Sequence, residues 1–151
     1  YSHWQQNIEC RHFDVCSEKR KCVNERLHEE IEVFEKDRII KSSAVGVTNV
    51  EEVTWLKDTL IEIAKKNNWE SWAYIADISK LEPVAIEVSS VLVKLHNSVY
   101  ENGCACLAFV ESKDTFTSKQ ASVHQKISTT VMKECHFDSF DEAYSWVKEN
   151  L

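Results

Sequence analysis

From residue 30 onward the apolar and polar positions fall into two periods, and each period predicts an element. Ile31-Glu-Val-Phe34 alternates with period two, as a strand with one buried face does. Lys36 and Asp37 interrupt it, and Arg38-Ile-Ile-Lys-Ser-Ser-Ala-Val45 resumes as a second strand. So short a connection allows only an antiparallel pair, because a parallel pair needs a long crossover. Asn49-Val-Glu-Glu52 has the chemistry of a helix start: an Asn that can accept from free amides, and acids against the positive end of the helix dipole. Val53, Leu56, Leu60 and Ile63 then recur at helical spacing, with Lys57, Asp58, Glu62 and Lys65 opposite.

The second half repeats this alternation of strand and helix. Trp72-Ala-Tyr-Ile-Ala76 is apolar on both alternating faces, which suits a central parallel strand covered on two sides. Pro83 is placed for a first helical turn, and Val88, Val91, Leu92, Leu95 and Val99 form the next stripe, ended by Asn102-Gly103. Cys104-Ala-Cys-Leu-Ala-Phe-Val110 reads as a second fully apolar strand. A weaker helix is expected over 118–127 and a short strand over Lys133 to Phe137. Ser139-Phe-Asp-Glu142 is a capping box opening a last helix, on which Ala143, Val147 and Leu151 share a face. The order β-β-α-β-α-β-α-β-α predicts an α/β fold. Its central sheet is mixed and mostly parallel, with right-handed crossovers and an opening antiparallel hairpin. Residues 1–29 stand outside this pattern as a cysteine-bearing extension, read as partly helical from Glu18 to His28, and 30–151 form the α/β domain.

Composition narrows the chemistry more than it names it. The 151 residues suit one domain with a self-sufficient core. A net charge of -7 argues against nucleic acid, since phosphate binding needs clustered Lys and Arg. The dense basic run Lys19-Arg20-Lys21 is flanked by Glu18 and Glu25 and reads as a solvated turn. No apolar run reaches the roughly 18 residues of a membrane helix. The first residues lack the features of a signal peptide, although the missing initiator Met leaves a trimmed export signal open. Cys104 and Cys106, within an apolar run, suit reduced core thiols, so a cytoplasmic setting is expected. Two Gly and one Pro leave little material for glycine-built phosphate loops.

Three stretches carry a resemblance. Arg38-Ile-Ile-Lys41 leading into Gly46-Val-Thr-Asn-Val-Glu-Glu52 is the first, and Trp72-Ala-Tyr-Ile-Ala-Asp-Ile-Ser-Lys-Leu-Glu-Pro83 the second. His136-Phe-Asp-Ser-Phe-Asp-Glu-Ala-Tyr-Ser-Trp-Val147 is the third; it follows a closing pattern F-x-[ST]-x-x-E-A-x-x-W. In this order and spacing they resemble the SpoIIAA-like branch of the STAS superfamily over residues 30–151. The resemblance implies a non-enzymatic, bacterial binding or interaction module, regulatory or holding a small apolar ligand, and compatible with a homodimer. It implies a protein partner or an apolar ligand, with contact at a membrane surface as a weaker variant, and no cofactor. The phosphoacceptor Ser of anti-sigma-factor antagonists is missing from Leu81-Glu-Pro-Val-Ala-Ile-Glu87, and Ser89 and Ser90 fall inside the following helix. Partner switching by phosphorylation is therefore not expected.

Candidate site residues fall into two groups. Ligands of open α/β sheets gather beyond the carboxyl ends of the strands, which here brings forward Asp77, Ser79, Ser112 and Lys113, with Glu111 and Asp114 beside them. The same residues also serve as ordinary loop residues and caps. The N-terminal Cys10, Cys16 and Cys22, with His12, have thiolate and imidazole groups that zinc prefers, but not its usual tight Cys-x-x-Cys pairs. Free thiols, one disulfide plus a free thiol, and a metal site all remain open. A redox or metal sensor built on these cysteines is the alternative function. No Ser-His-Asp order, phosphate loop or supported carboxylate pair is legible, and no catalytic residue is expected. His136 adjoins Cys135, but neighbours in a strand face opposite ways. The aromatic residues Trp55, Trp72, Tyr74, Phe140 and Trp146 read as core, or alternatively as the lining of an apolar pocket.

Overall fold

A computed structural model of the chain describes residues 9–12, 19–24, 29–111, 120 and 132–151, the first two stretches as backbone only. Four consecutive strands open it: β1 (Glu9–His12), β2 (Lys19–Asn24), β3 (Glu29–Phe34) and β4 (Ile39–Ala44). Then α1 (Val50–Lys66) leads to β5 (Trp72–Asp77), and α2 (Ile86–Glu101) to β6 (Cys104–Val110). β7 (Lys133–Phe137) and α3 (Phe140–Asn150) close it. The strands form one sheet in chain order, antiparallel from β1 to β4 and parallel from β4 to β7. Over the five strands from β3 onward the sheet is mixed and mostly parallel, as the alternation of periods predicts.

The caps act as their residues suggest. Asn49 takes an extended backbone, and its side chain accepts from the Glu52 amide at 2.9 Å. Ser139 does the same for the Glu142 amide at 3.3 Å. α2 departs from expectation: it begins at Ile86, with Ala85 as a cap lacking a side-chain hydrogen bond, so Pro83 precedes the helix rather than sitting in its first turn. The Gly46 amide donates to the Lys80 carbonyl, and the Glu82 amide donates to that of Gly46, both at 2.9 Å. A bridge between Gly46 and Leu81 thus holds the segment before Pro83 extended. Extended backbone at the residue before it is also what proline imposes.

Two apolar layers sandwich the sheet. On one face Ile31, Val33, Ile40, Trp72, Tyr74, Leu107 and Phe109 meet Val53, Leu56, Leu60 and Ile63 of α1 and Val88, Leu95 and Val99 of α2. On the other, Ile39, Ala73, Ile75, Cys106, Ala108 and Val110 meet Ala143 and Val147 of α3, bordered by Phe34, Phe137, Phe140 and Tyr144. A bulge at Trp72/Ala73, where Cys104 opposes Trp72 and Cys106 opposes Ala73, sends those two cysteines to opposite layers although they are two residues apart.

The stretch read as helical from Glu18 to His28 holds instead strand β2, paired along its whole length with β3. The basic run Lys19-Arg20-Lys21, read as a solvated turn, opens this strand, because a ladder needs only backbone groups. The helix expected over 118–127 lies outside the described residues except for Gln120, which is helical.

Candidate ligand pocket

The antiparallel opening hairpin decides where the site lies. β3 runs against β4, so its first residue, Glu29, pairs with Ala44 at the carboxyl end of β4. That end lies beside Asp77, the last residue of β5. The strand-end region where ligands gather in open sheets therefore receives the start of β3 as well.

A cavity of about 80 Å³ opens there, between the sheet and the two helices on its first face. The sheet contributes Glu29, Ser42, Ala44, Tyr74, Ala76 and Phe109, and the helices Val53, Leu56, Leu92, Leu95 and His96. The loop after β5 adds Ile78, Leu81 and Val84. Gln120 fixes that loop by accepting from the Val84 amide at 2.9 Å and donating to its carbonyl at 3.2 Å. Apolar walls with a few converging polar groups are the usual make-up of a small-molecule site.

The polar groups gather at the β3–β4 side. Glu29 is 3% exposed, and its Oε2 has no hydrogen-bond partner among the described residues. Burial first, and the Glu52 carboxyl second, push its pKa from 4.5 up to about 9, so the group is neutral near pH 7. Glu52, also buried, accepts from the Thr48 hydroxyl at 3.3 Å. Ser42 and Tyr74 share a hydrogen bond of 2.5 Å. Burial raises the Tyr74 pKa, the Ser42 bond opposes this, and Glu29 adds to it. His96, on α2, is 4% exposed and tilts against the Phe109 ring at 6.2 Å.

Of the strand-end candidates, Asp77 and Ser79 come together. Asp77 accepts from the Ser79 amide at 3.0 Å and from its hydroxyl at 2.6 Å. Asp77 also borders the pocket, while its other carboxylate oxygen lies 4.0 Å from Lys41 Nζ. Ser112 and Lys113 lie outside the described residues. Beyond β6, Glu111 pairs with His136 at 2.7 Å, and Glu134 approaches the other ring nitrogen at 3.3 Å. The His136 ring stacks on Phe109 at 4.9 Å. The hydrogen bond to Glu134 and then the Glu111 carboxylate raise its pKa, against an opposing effect of burial.

For the N-terminal cysteines, the backbone register sets Cys10 opposite Cys22 and His12 opposite Arg20, and Cys16 lies outside the described residues. Among the described residues no cluster of three or more metal-ligating side chains occurs. Cys104 and Cys106 are buried free thiols; burial raises both, that of Cys106 to about 11. Such thiols are poor nucleophiles. Among the aromatic candidates, Trp55 and Trp72 are fully buried core, whereas Tyr74 lines the cavity.

The signals that could have found this pocket were faint. Glu29 lies before the alternating run and has no apolar neighbour pattern to place it, so a strand beginning at Ile31 misses it. Only the hairpin register, together with the closure of α1 and α2 over one face, gathers these residues.

Among the described residues, a seven-stranded sheet in sequence order, parallel from β4 and layered by two helices on one face and one on the other, defines the class: the chain has a SpoIIAA-like fold. Among solved structures it is similar to an uncharacterised DUF3478-family protein with a SpoIIAA-like fold from Shewanella loihica PV-4. The two share 12% identity at a TM-score of 0.56, over 92% of this chain and 90% of the other. No family profile matches the chain, and no curated protein matches it.

Proposed function

We propose that this protein is a non-enzymatic binding module that holds a small, mainly apolar molecule in the pocket at the strand ends. One observation carries the reading: a cavity with apolar walls is lined by the buried carboxyl of Glu29, whose Oε2 has no hydrogen-bond partner among the described residues. A buried polar group without a partner costs on the order of 1–3 kcal/mol, and a ligand that satisfied it would recover that cost. The high pKa values of Cys104 and Cys106 give no support to a nucleophilic enzyme. Asp77 and Ser79, with Ser112 and Lys113, would form a polar mouth. Around it Val45, Val47, Val50 and Ile86 are exposed apolar side chains on the loops and helix starts, which suits an interaction module whose partner, a protein or a second copy, senses occupancy. In this reading the binding body, bounded by sequence at 30–151, begins one residue earlier at Glu29, and β1 and β2 extend its sheet, in a cytoplasmic bacterial protein.

Nuclear magnetic resonance titration with hexanol tests it. Shifts centred on the methyl groups of Ala44, Ala76 and Leu95, lost in Ala44→Leu while thermal unfolding stays cooperative, are the expected outcome. Shifts scattered over the surface, or unchanged in the variant, would sink the pocket.

A further inference from the structure

We infer that the ligand of this pocket carries a protonated amine on its apolar body, and that its ammonium pairs with the carboxylate of Glu29 between the hydroxyls of Ser42 and Tyr74. This rests on the pocket being a ligand site and adds the chemical class of what enters it.

The groups facing Glu29 argue for this charge. From α1 comes a second buried carboxyl, Glu52; from β4 and β5 come the Ser42 and Tyr74 hydroxyls, which already share one hydrogen bond. α2 brings His96, and the end of β5 brings Asp77. Among the described lining residues there is no Lys or Arg. Lys41, the cation of neighbouring β4, engages Glu32 at 3.5 Å and lies over the Phe140 ring, which borders the opposite layer. An anionic ligand would thus meet Glu29 and Asp77 and no described Lys or Arg on the lining. A neutral alcohol or ketone would use one hydrogen bond and leave the Glu29 carboxyl protonated beside Glu52. An ammonium donates three hydrogen bonds, has the carboxylate and two hydroxyl oxygens as acceptors, and offsets the effect of Glu52 that otherwise keeps Glu29 from ionising.

Proton exchange follows from the same geometry. Burial and Glu52 keep the Glu29 carboxyl neutral until an ammonium meets it. An ammonium arriving with its own proton binds the ionised carboxylate, so one proton leaves Glu29 for solvent. Affinity for an amine then rises about tenfold per pH unit and levels as pH approaches the Glu29 value of about 9.

Calorimetric titration of the full chain with hexylamine, hexanol and hexanoate, in two buffers of different ionisation heat, reads all of this at once. Hexylamine is expected to bind at least about tenfold more tightly than hexanol near pH 8, with about one proton released per molecule bound. Its affinity is expected to fall roughly a hundredfold between about pH 8 and about pH 6. Glu29→Gln is expected to remove the proton release, the pH slope and the preference for amine, while hexanol still binds. Hexanol or hexanoate binding as tightly as the amine, or amine binding without proton release, overturns the amine inference and leaves the pocket standing. Failure of all three to bind the unaltered protein overturns the pocket reading along with it.

Discussion

At the scale of single residues, Glu29 works against the stability of the fold it sits in. Its carboxyl has a pKa of about 9 in the folded chain against 4.5 for an exposed one. Below about 4.5 both states hold the proton, and the group's contribution is whole. As pH rises the unfolded chain ionises first, and stability is lost progressively until the folded carboxyl also ionises near 9. Glu29→Gln, neutral and of the same shape, should therefore stabilise the protein at neutral pH by on the order of 2 kcal/mol and change little near pH 4. Melting curves of both proteins across that range check this; equal shifts at both ends would refute it. His136 has the same sign. Its raised pKa, due to Glu134 first and then Glu111, means that its ion pairs stabilise fully below the ordinary 6.5 and less as pH climbs through the folded value. His136→Gln should cost more stability near pH 6 than near pH 8, measured by denaturant unfolding. Neither behaviour is legible in the chain as written, because a carboxyl's surroundings, not its neighbours in sequence, set its pKa.

At the scale of elements, local chemistry explains where most of them begin and end. Asn49 and Ser139 announce their helices, and Asn102-Gly103 closes α2. Gly103 shows why a glycine is needed there: its φ is +101°, and a Cβ at that position would lie 2.5 Å from the Glu70 carbonyl oxygen. The Trp72 amide donates to the Gly103 carbonyl at 3.1 Å and the Trp72 indole to the Asn102 carbonyl at 2.9 Å, so the turn is tied to the start of β5. Gly103→Ala should lower stability by roughly 2 kcal/mol or more, whereas Asn49→Ala should cost about 1 kcal/mol; chemical denaturation separates the two. The failures at this scale have physical causes too. β2 is a strand in a segment read as partly helical with a basic turn at its start, since pairing along β3 outweighs intrinsic preference. α2 starts late, because the bridge between Gly46 and Leu81 keeps the backbone ahead of it extended.

At the scale of the whole molecule, the two outer strands change what β3 is. With β2 in place β3 is an interior strand; without it, β3 would present a free edge carrying Ile31 and Val33, both buried in the intact sheet. A chain shortened to begin at Glu29 should retain its α/β circular dichroism yet associate in a concentration-dependent way, as sedimentation would show. A shortened chain that stays monomeric at every concentration would mean that the edge is protected by something else.

The alternation of apolar and polar residues is enough by itself to determine an α/β chain, the five strands from β3 onward and the three helices described beside them. Period and capping are local properties, written in residues that are close along the chain. The site was not local. Glu29 meets Tyr74 and His96 only because β3 runs antiparallel to β4, β5 lies beside it, and α1 and α2 close over the same face. Strand pairing and helix packing, which act between distant residues, decided that a carboxyl preceding the first alternating strand would end as the polar group of an apolar pocket.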